Sequence, residues 1–426
     1  MILVALLIAA PAWGRTAATH TETIHFTLND ERTVVVVMFD GFAPAELDAT
    51  HPTPNFDRLK REGAWSRHLV PAFPTLSLIN HTTFATGCWP EHHGIVSNTF
   101  LDPKKGWFSH ATDQDDAIWR TGCETMWEAA ERQGVHAAVF NFVDRWRGKQ
   151  QLATTVNPEV PWKDHEDDET ILQRAFKALK DNSPNHPRLI TLYFEYPDSV
   201  AHGDGVTGPK TQDSVRRADA IVGRLMAALK ALPPGRQGTL LVGTDHGMKD
   251  TTGFINVTRL VNMYDIKATV SVDGASAFLY LDKGESIDRV QKALSACPNA
   301  FSVYRTGHYP PFAHLGTSIR VGDLMLVGKP PYRMVDAGAL PWFVNWTGGN
   351  WLWSPVVDTG PGVVPSTHGY DPAVVDMHGI FYLWGAGVRP GEIKRLEQVD
   401  VHPTVMKLLG LQPGRPMDGH AIAAVQ

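Results

Sequence analysis

Carboxylate and imidazole side chains follow three apolar runs of the chain, at the point where each run ends. Asp40 comes after a run of valines, Asp245 and His246 follow a second run, and Asp198 and His202 follow a third. Each has a common alternative explanation when taken alone, because an Asp after a strand is often a turn or helix cap and a lone His is usually an ordinary polar residue. Asp198 and His202 are four residues apart, so one helical turn points both the same way.

Together these residues predict a metal centre. His368 adds another imidazole, from the segment Ser366–Tyr370. Carboxylate oxygens and imidazole nitrogens without thiolates suit zinc or a similar divalent ion. Five or more such ligands are too many for one tetrahedral ion. They suffice for two ions about 4 Å apart, the arrangement that binds both the attacking and the leaving oxygen in phosphoryl transfer.

A nucleophile for such a site is available just before a predicted helix, where Phe73–Ser77 contains the hydroxyl groups of Thr75 and Ser77. At a helix N-terminus the helix dipole and a bound metal would both favour the alkoxide. The alternatives are structural, with Ser77 as a helix N-cap and Thr75 as a capping or turn hydroxyl. The residue types alone leave the choice between the two hydroxyls open.

The composition excludes several classes of protein. The 426 residues carry a formal net charge of −6, which disfavours a nucleic-acid polymer as partner. A hydrophobic content of 43% with 13 Trp and 18 Phe argues against disorder. Three cysteines are too few for a disulfide scaffold or a Cys-rich zinc module, and one thiol must stay unpaired within the chain. Cys88 and Cys123 could pair, but the sequence leaves the pairing open.

Apolar strands alternate with amphipathic helices, which predicts an α/β fold with a mostly parallel central sheet and helices on both faces. Such sheets form their sites just past the carboxyl ends of the strands, where the ligands above lie. The predicted strands are Thr33–Phe39, Val135–Phe142, Leu189–Glu195, Thr239–Gly243 and Gly379–Trp384. The predicted helices are Pro54–Glu62, Ser77–Thr86, Thr121–Gln133, Glu166–Lys180, Thr211–Leu232 and Val401–Leu409.

Two regions depart from this alternation. Residues from about 253 to 365 are rich in Pro, Gly and Trp and are predicted to form a smaller inserted lobe. Residues 1–20 resemble a signal peptide, because Ile2–Ala10 is apolar, too short to span a bilayer and followed by small residues. A buried N-terminal strand is the alternative. We therefore expect a secreted or periplasmic protein without stable membrane insertion, whose catalytic domain covers residues 24–426. Its oligomeric state is left open.

The chemistry-bearing residues lie in five motifs whose order along the chain is informative. The segments are Phe73–His81, Thr86–Asn98, Tyr193–His202, Thr244–Met248 and Thr367–Asp371. In this order they resemble the nucleotide pyrophosphatase/phosphodiesterase family of the alkaline phosphatase superfamily. The resemblance runs from about residue 33 to residue 420, so it covers nearly the whole mature chain. Each motif alone is weak, whereas the ordered set is highly specific.

The resemblance implies an alkaline phosphatase-like fold, a two-zinc site and a role for each matching residue. Ser77 matches the nucleophile, which is usually Thr and sometimes Ser in this family, so Thr75 does not have that role. Asn98 would hydrogen-bond a non-bridging phosphoryl oxygen, and Tyr193 matches an aromatic residue beside the leaving group. The implied metal ligands are Asp40, Ser77, Asp245 and His246 for one zinc and Asp198, His202 and His368 for the other.

The implied reaction hydrolyses a phosphodiester or phosphoanhydride bond through a covalent phospho-serine intermediate. Leu78 stands where nucleotide-cleaving members usually carry an aromatic residue that stacks on the base, which weakens the case for a nucleotide. Members with a Ser nucleophile include enzymes that act on choline phosphodiesters, and an aromatic cage would suit such a cation. Trp342, Trp346, Trp351 and Trp353 could form the cage, although a role in the lobe core is the favoured alternative. The substrate therefore stays open between a nucleotide and a choline-type glycerophosphodiester.

Three other functions remain as alternatives. A phosphomonoesterase could use the same two-metal site, and the absence of Lys and Arg from the motifs argues against it only modestly. A sulfatase is disfavoured, because Cys88–His92 ends in His92 where sulfatases carry Arg. A catalytically inactive binding protein is disfavoured because six ligand positions and a hydroxyl are intact. The other histidines, His81 and His93 among them, are expected to be incidental.

Overall fold

The computed structural model describes residues 31–111, 116–147, 149–158, 166–297, 299–336, 354–360 and 366–425. The predicted signal peptide, residues 1–20, and the four lobe tryptophans lie outside the described residues. None of the helices formed by the described residues is long and apolar enough to cross a membrane.

Strands of the described residues form one large central sheet and several small ones. In chain order they are β1 (Glu31–Phe39), β2 (Ala64–Val70), β3 (Thr99–Asp102), β4 (Gly106–Ser109), β5 (Ala137–Phe140), β6 (Trp146–Arg147), β7 (Gln150–Gln151), β8 (Thr155–Val156), β9 (Leu189–Phe194), β10 (Arg236–Thr244), β11 (Lys249–Asp250), β12 (Gly253–Asn256), β13 (Ala268–Asp273), β14 (Ser276–Leu281), β15 (Phe301–Arg305), β16 (Leu324–Gly328), β17 (Tyr332–Val335), β18 (Val356–Asp358), β19 (Ser366–Thr367), β20 (Gly379–Gly385), β21 (Gly391–Glu392) and β22 (Leu396–Glu397).

Along the chain, most helices connect strands of the central sheet. In chain order they are α1 (Pro44–Ala49), α2 (Pro54–Glu62), α3 (Ser77–Thr86), α4 (Pro90–His93), α5 (Met126–Arg132), α6 (Asp168–Lys180), α7 (Asp198–Asp204), α8 (Pro209–Lys230), α9 (Val257–Met263), α10 (Ile287–Leu294) and α11 (Val401–Leu409).

The central sheet has nine strands in the order β21-β2-β20-β10-β1-β9-β5-β8, with β22 beside β2. Strand β1 runs parallel to β10 on one side and to β9 on the other, with Phe39 opposite Thr244 and Phe194. These three strands therefore end at the same edge. The predicted mostly parallel sheet is confirmed, while β20 runs antiparallel to β10. It does so because the chain reaches β20 from that same edge.

Alternate residues of β1 belong to different cores, which shows that helices cover both faces of the sheet. Val34, Val36 and Met38 pack with residues of α3, α5 and α11. Val35, Val37 and Phe39 pack with residues of α2, α6 and α8. All six side chains are fully buried, as expected for a central parallel strand.

Two features of the fold differ from the sequence-based expectations. The predicted helix Thr121–Gln133 begins only at Met126, because Thr125 is its N-cap and forms a capping box with Glu128. Strand β2 was not expected. In its first half, buried Ala64 and Ser66 alternate with half-buried Trp65 and Arg67. The strand pairs with β20 through an irregular register between Ser66 and Leu69.

The region of the predicted lobe contains two small sheets. Strands β13, β14, β16 and β15 form an antiparallel four-stranded sheet, and β17, β12 and β18 form a three-stranded one. Helices α9 and α10 supply Leu260 and Val290 to the core that these strands share. The lobe boundaries at about 253 and 365 stay a prediction.

A disulfide joins Cys88, two residues after α3, to Cys123, which precedes α5. The sequence had left this pairing open. Cys297 is free and half-buried.

Candidate active site

The loops that follow β1, β9 and β10 meet at one edge of the sheet and are tied to one another. The N–H group of Gly41 donates to Asp245 Oδ1 at 2.9 Å. The N–H group of Asp198 donates to the carbonyl of Asp40 at 3.1 Å. The three carboxylates predicted as ligands are thus connected through the backbone that carries them.

Gly41 is required by the close approach of two of these loops. Its φ is +63°, and a Cβ atom at this position would lie 2.7 Å from the Cβ atom of Asp198. Any other residue would displace Asp198 or strain the turn after β1. The Asp40-Gly41 pair is therefore a ligand followed by the residue that makes room for the next ligand.

Six of the seven predicted ligands, all but Ser77, fall into two groups that could hold a metal ion. In each group, one ligand atom per residue lies within 4.8 Å of the others. The first group is Asp40, Asp245 and His246, and the second is Asp198, His202 and His368.

Backbone carbonyls orient all three imidazoles. The Nδ1 atom of His246 lies 2.9 Å from the carbonyl oxygen of Gly247, and that of His202 lies 3.1 Å from the carbonyl oxygen of Ser366. The Nδ1 atom of His368 lies 2.9 Å from the carbonyl oxygen of Thr75. A carbonyl only accepts, so each Nδ1 carries the proton and each Nε2 lone pair is available to a metal.

Thr75 fixes the His368 segment to the loop before α3. Its hydroxyl donates to the carbonyl of Tyr370 at 3.0 Å, and its carbonyl accepts from the N–H group of Gly369 at 2.9 Å. The hydroxyl of Thr75 is therefore used structurally, as its alternative reading proposed. The same loop thus carries the candidate nucleophile and aligns a metal ligand.

Ser77 is the first residue of α3, and the N-cap is Leu76. The reading of Ser77 as a helix N-cap is therefore wrong. Its Oγ lies 3.1 Å from Nε2 of His246, and the residue is 9% exposed. The hydroxyl thus reaches the first ligand group from the N-terminal end of a ten-residue helix, where the helix dipole favours negative charge.

The donor set fits metal ions. Among the described residues, Asp40 Oδ1 and Asp198 Oδ1 are buried side-chain oxygens without a hydrogen-bond partner, and Asp245 Oδ2 faces the imidazole Nε2 atoms of His81 and His246. Leaving a buried carboxylate oxygen unpaired is costly unless a cation binds it. Buried carboxylate oxygens beside three oriented imidazole nitrogens form a site that a cation would complete.

The pKa shifts describe the same need for positive charge. Burial and the charge of Asp245 raise the pKa of Asp40. The charge of Asp198 raises the pKa of His202 to about 9. Burial and the charge of His246 lower the pKa of His368 well below its usual range. Opposite shifts among neighbouring histidines arise because the cluster must balance three carboxylates with few protons.

Tyr193 contacts a predicted ligand. The residue is 1% exposed, and its hydroxyl donates to Asp40 Oδ2 at 2.5 Å. This hydrogen bond orients the carboxylate of Asp40, and the expected contact of Tyr193 with a substrate stays a prediction. The sequence position of Tyr193 did not indicate this contact, because the contact depends on the register in which β9 pairs with β1.

His81 was expected to be incidental, and this expectation is wrong. Its Nε2 lies 3.2 Å from Asp245 Oδ2 and 3.6 Å from Asp40 Oδ2. Burial opposes its charge, but the hydrogen bonds with both carboxylates raise its pKa to about 9. Its position four residues after Ser77 on a helix was the available signal, since both then lie on one face. His93, by contrast, contacts Thr83 and lies away from the ligands.

Asn98 and Leu78 are joined by a hydrogen bond. The N–H group of Leu78 donates to Asn98 Oδ1 at 2.8 Å, which leaves the Nδ2 donor of Asn98 for another acceptor. The side chain of Leu78, which the family resemblance places at the substrate site, is fully buried in the hydrophobic core beside α3. Leu78 therefore contacts Asn98 through its backbone N–H group and not through its side chain.

The sulfatase alternative loses its remaining support here. Sulfatases convert the first residue of their motif, and the corresponding Cys88 is fully buried and bonded to Cys123. A disulfide-bonded sulfur is unavailable for that conversion.

Comparisons with known proteins agree with this geometry. Residues 34–350 match the family model described as type I phosphodiesterase / nucleotide pyrophosphatase. Ectonucleotide pyrophosphatase/phosphodiesterase family member 7 of Homo sapiens is 28% identical over 407 residues, which cover 91% of this chain and 81% of that protein. A venom phosphodiesterase of Crotalus durissus collilineatus is 26% identical over 411 residues, covering 92% of this chain and 46% of that protein.

Solved structures show the fold. Human ectonucleotide pyrophosphatase/phosphodiesterase 5 has a TM-score of 0.76 at 24% identity and covers 91% of this chain and 97% of its own. An inactive murine form of the same protein, in complex with AMP, has a TM-score of 0.76 at 23% identity. The expected alkaline phosphatase-like α/β fold is confirmed. Because the family match extends over most of the sequence, the chain belongs to the type I phosphodiesterase/nucleotide pyrophosphatase family.

Proposed function

We propose that this phosphodiester hydrolase cleaves phosphodiester or phosphoanhydride bonds with Ser77 as the nucleophile and two zinc ions as cofactors. The observation that carries the proposal is the position of the Ser77 hydroxyl. It lies at the N-terminus of α3, 3.1 Å from Nε2 of His246, which belongs to one of two groups of buried metal-ligand side chains.

Asp40, Asp245 and His246, together with Ser77, are the residues that would hold one ion, and Asp198, His202 and His368 would hold the other. Bound ions in such a pair stabilise negative charge on the attacking and leaving oxygens of the phosphoryl group. The choice of zinc follows from the mixed carboxylate and imidazole donors and the absence of thiolates.

The chain's own residues perform two displacements. The Ser77 Oγ forms a bond to phosphorus while the bond to the leaving oxygen breaks, which produces a phospho-serine ester. Water then forms a new bond to phosphorus while the Oγ–phosphorus bond breaks, which regenerates Ser77. One water molecule is consumed for each bond cleaved.

Asn98 is suited to orient the phosphoryl group. Because its Oδ1 accepts from Leu78, the amide is held with Nδ2 available as a donor for a non-bridging oxygen. A fixed donor aimed at a position where charge develops stabilises the transition state without reorganisation.

Replacing Ser77 by Ala tests the nucleophile. We expect turnover to fall to background while zinc content stays at that of the wild type, because the six carboxylate and imidazole ligands remain. The measurement is hydrolysis of an aryl phosphodiester beside zinc analysis of the same sample. Retention of most of the activity would show that Ser77 is not the nucleophile. Thr75→Ser is the matched control, since it keeps a hydroxyl in the neighbouring structural position.

A zinc-loaded substrate panel tests the reaction class. It compares a generic aryl diester, a nucleotide phenyl ester, glycerophosphocholine and an aryl monoester. We expect the diesters to be cleaved faster than the monoester, and chelation to abolish the activity. Unchanged activity after chelation would remove metals from the mechanism. The relative rates for the nucleotide ester and glycerophosphocholine decide between the two substrate classes left open.

One observation favours the phosphomonoesterase as a second candidate. The guanidinium of Arg333, on β17, is among the charges that act on His202 and lower its pKa, although the carboxylate of Asp198 outweighs it. A guanidinium near the second ligand group could pair with the additional charge of a monoester. If this candidate is correct, Arg333→Ala will slow cleavage of the monoester more than cleavage of any diester.

We further propose that the enzyme is located outside the cytoplasm, as a secreted or periplasmic protein. Relatives named ectonucleotide enzymes and venom phosphodiesterases support it, as does the N-terminal apolar run that is typical of a signal peptide.

A further inference from the structure

The tip of the hairpin formed by β13 and β14 contacts two separate parts of the candidate site. On one side, the carboxylate of Asp273 accepts the backbone N–H group of Asn98 and lies 3.5 Å from the hydroxyl of Ser97. Two residues earlier in the same strand, the hydroxyl of Ser271 donates to the carbonyl of Thr99 at 2.9 Å. The strand thus runs along the segment that presents Asn98.

On its other side the hairpin is bonded to the segment that presents His368. The N–H group of Ala275 donates to the carbonyl of His368 at 2.8 Å. The hydroxyl of Ser276 donates to the carbonyl of Gly369 at 2.6 Å. A single residue, Gly274, therefore separates the residue that contacts Asn98 from the residue that contacts His368.

Two glycines let these segments approach. Gly274 has a φ of +54°, and a Cβ atom on it would lie 2.5 Å from the carbonyl oxygen of His368. Gly369 has a φ of +91°, and a Cβ atom on it would lie 2.9 Å from the backbone nitrogen of Ala275. The hairpin tip and the His368 segment therefore pack backbone against backbone, so that a shift of one displaces the other.

The base of the tip is hydrogen-bonded to both small sheets of the lobe region, to β17 through Met334 and to β16 through Gly328. The carbonyl of Gly274 accepts from the N–H group of Met334 at 2.9 Å, and the carbonyl of Ala275 accepts from that of Gly328 at 2.7 Å. Both Ala275 and Ser276 are buried. The hairpin tip, residues Asp273–Ser276, is therefore hydrogen-bonded to the lobe region at its base and contacts the catalytic region at two points. We call this segment the bracket.

We propose that the hairpin tip Asp273–Ser276 is a positioning element, which sets Asn98 relative to His368 and so aligns phosphoryl orientation with the second ligand group. This inference rests on the proposed function of Asn98 and His368. Asp273 is a positioning residue, since it acts through the backbone of Asn98. The inserted region thereby contributes to catalysis through its hairpin and not only through substrate contacts.

A double-mutant cycle with Asp273→Ala and Asn98→Ala tests whether Asp273 acts through Asn98. At pH 8 we expect Asp273→Ala to lower kcat for the aryl diester by about 10- to 100-fold, the range expected for a small misplacement of a catalytic group. In the Asn98→Ala background the same change should have little further effect, because the group that it positions is already absent. Additive losses would overturn the inference.

Two further variants separate positioning from a general loss of structure. Asp273→Asn keeps an oxygen that can accept from Asn98, so it should recover most of the activity. Asp323→Ala is the matched control, because Asp323 accepts a backbone N–H group from Leu281 at 2.7 Å in the same sheet but does not contact Asn98. If Asp323→Ala lowers kcat as much as Asp273→Ala, the effect is a general property of this sheet and the inference is wrong.

Hydrogen exchange measures the bracket without turnover. Asp273→Ala should speed exchange of the Asn98 amide by at least tenfold and Ser276→Ala should speed exchange at Gly369, while the core amides of β1 stay protected. This result would stand even if the chain proved inactive on every ester in the panel, a failure that would count against the proposed function alone. Unchanged exchange at Asn98 in the Asp273→Ala variant would refute the bracket.

Discussion

Five of the six carboxylate and imidazole residues proposed as ligands have their second polar atom already engaged, Asp245 through Oδ1 and the N–H group of Gly41. The three imidazoles use Nδ1 on backbone carbonyls, and Asp40 uses Oδ2 on the hydroxyl of Tyr193. Such contacts fix the direction of the remaining lone pairs and reduce the entropy lost when a cation binds. The orientation of the proposed ligands therefore depends on buried groups behind them, such as the hydroxyl of Tyr193.

Tyr193→Phe tests this dependence with the loss of a single oxygen. We expect zinc affinity or kcat to fall roughly 10- to 100-fold, the usual effect of removing a contact behind a metal ligand. The ring itself stays, so the packing around Asp40 is kept. The measurements are zinc titration against a competing chelator and kcat for the aryl diester.

Tyr196→Phe is the control for this prediction, since Tyr196 is a buried tyrosine of the same motif whose hydroxyl interacts with Asp168 and not with a ligand. It should leave zinc affinity unchanged. If both variants behave like the wild type, the Tyr193 hydroxyl has no part in holding Asp40.

At the scale of elements, a disulfide closes the segment between α3 and α5. Replacing both Cys88 and Cys123 by Ser should lower the free energy of unfolding by about 4 kcal/mol, the chain-entropy value for a loop of this size. The two cysteines are 35 residues apart. Urea unfolding of the oxidised wild type and of the variant gives the difference. Cys297→Ser, which breaks no bond, is the control, and a loss of less than about 1 kcal/mol in the double variant would contradict the prediction.

Several elements could be predicted from the sequence because their boundaries are local. Helices α2, α3 and α11 have the predicted bounds, and each ends at a glycine: Gly63, Gly87 or Gly410. The last two have φ values of +67° and +70°, which suits glycine at a helix C-terminus. Local signals of this kind do not depend on the rest of the fold.

The contacts of Tyr193 and Asp273 could not be predicted, because they depend on how distant segments meet. Tyr193 reaches Asp40 only through the register of β9 on β1, and Asp273 reaches Asn98 across 175 residues of sequence. The sequence predicted six carboxylate and imidazole ligands, five of them after strand ends. It did not identify the residues that contact these ligands, because such contacts depend on the packing of segments that are far apart in sequence.

At the scale of the whole molecule, buried histidines make stability depend on pH. Burial lowers the pKa of His93 to about 3 and that of His402 to about 4. His93 Nδ1 accepts the N–H group of Ile95 at 3.2 Å, and His402 Nε2 accepts that of Gly414 at 3.1 Å. Protonation would place one N–H group against another. Both histidines are therefore held neutral in the folded state.

His402→Asn isolates one of these contributions. In the unfolded chain a histidine titrates near pH 6.5, so below that pH the unfolded state binds more protons than the folded state. The stability that His402 provides is then intact above about pH 6.5 and falls as the pH drops towards the folded pKa, by about 2 kcal/mol at pH 5. Urea unfolding of the metal-free chain at pH 7 and pH 5 should show the wild type losing about 2 kcal/mol more than His402→Asn. His51→Gln, at an exposed position, should follow the wild type. Equal losses in the wild type and in His402→Asn would show that His402 is not held neutral, because the pH dependence would then come from other groups alone.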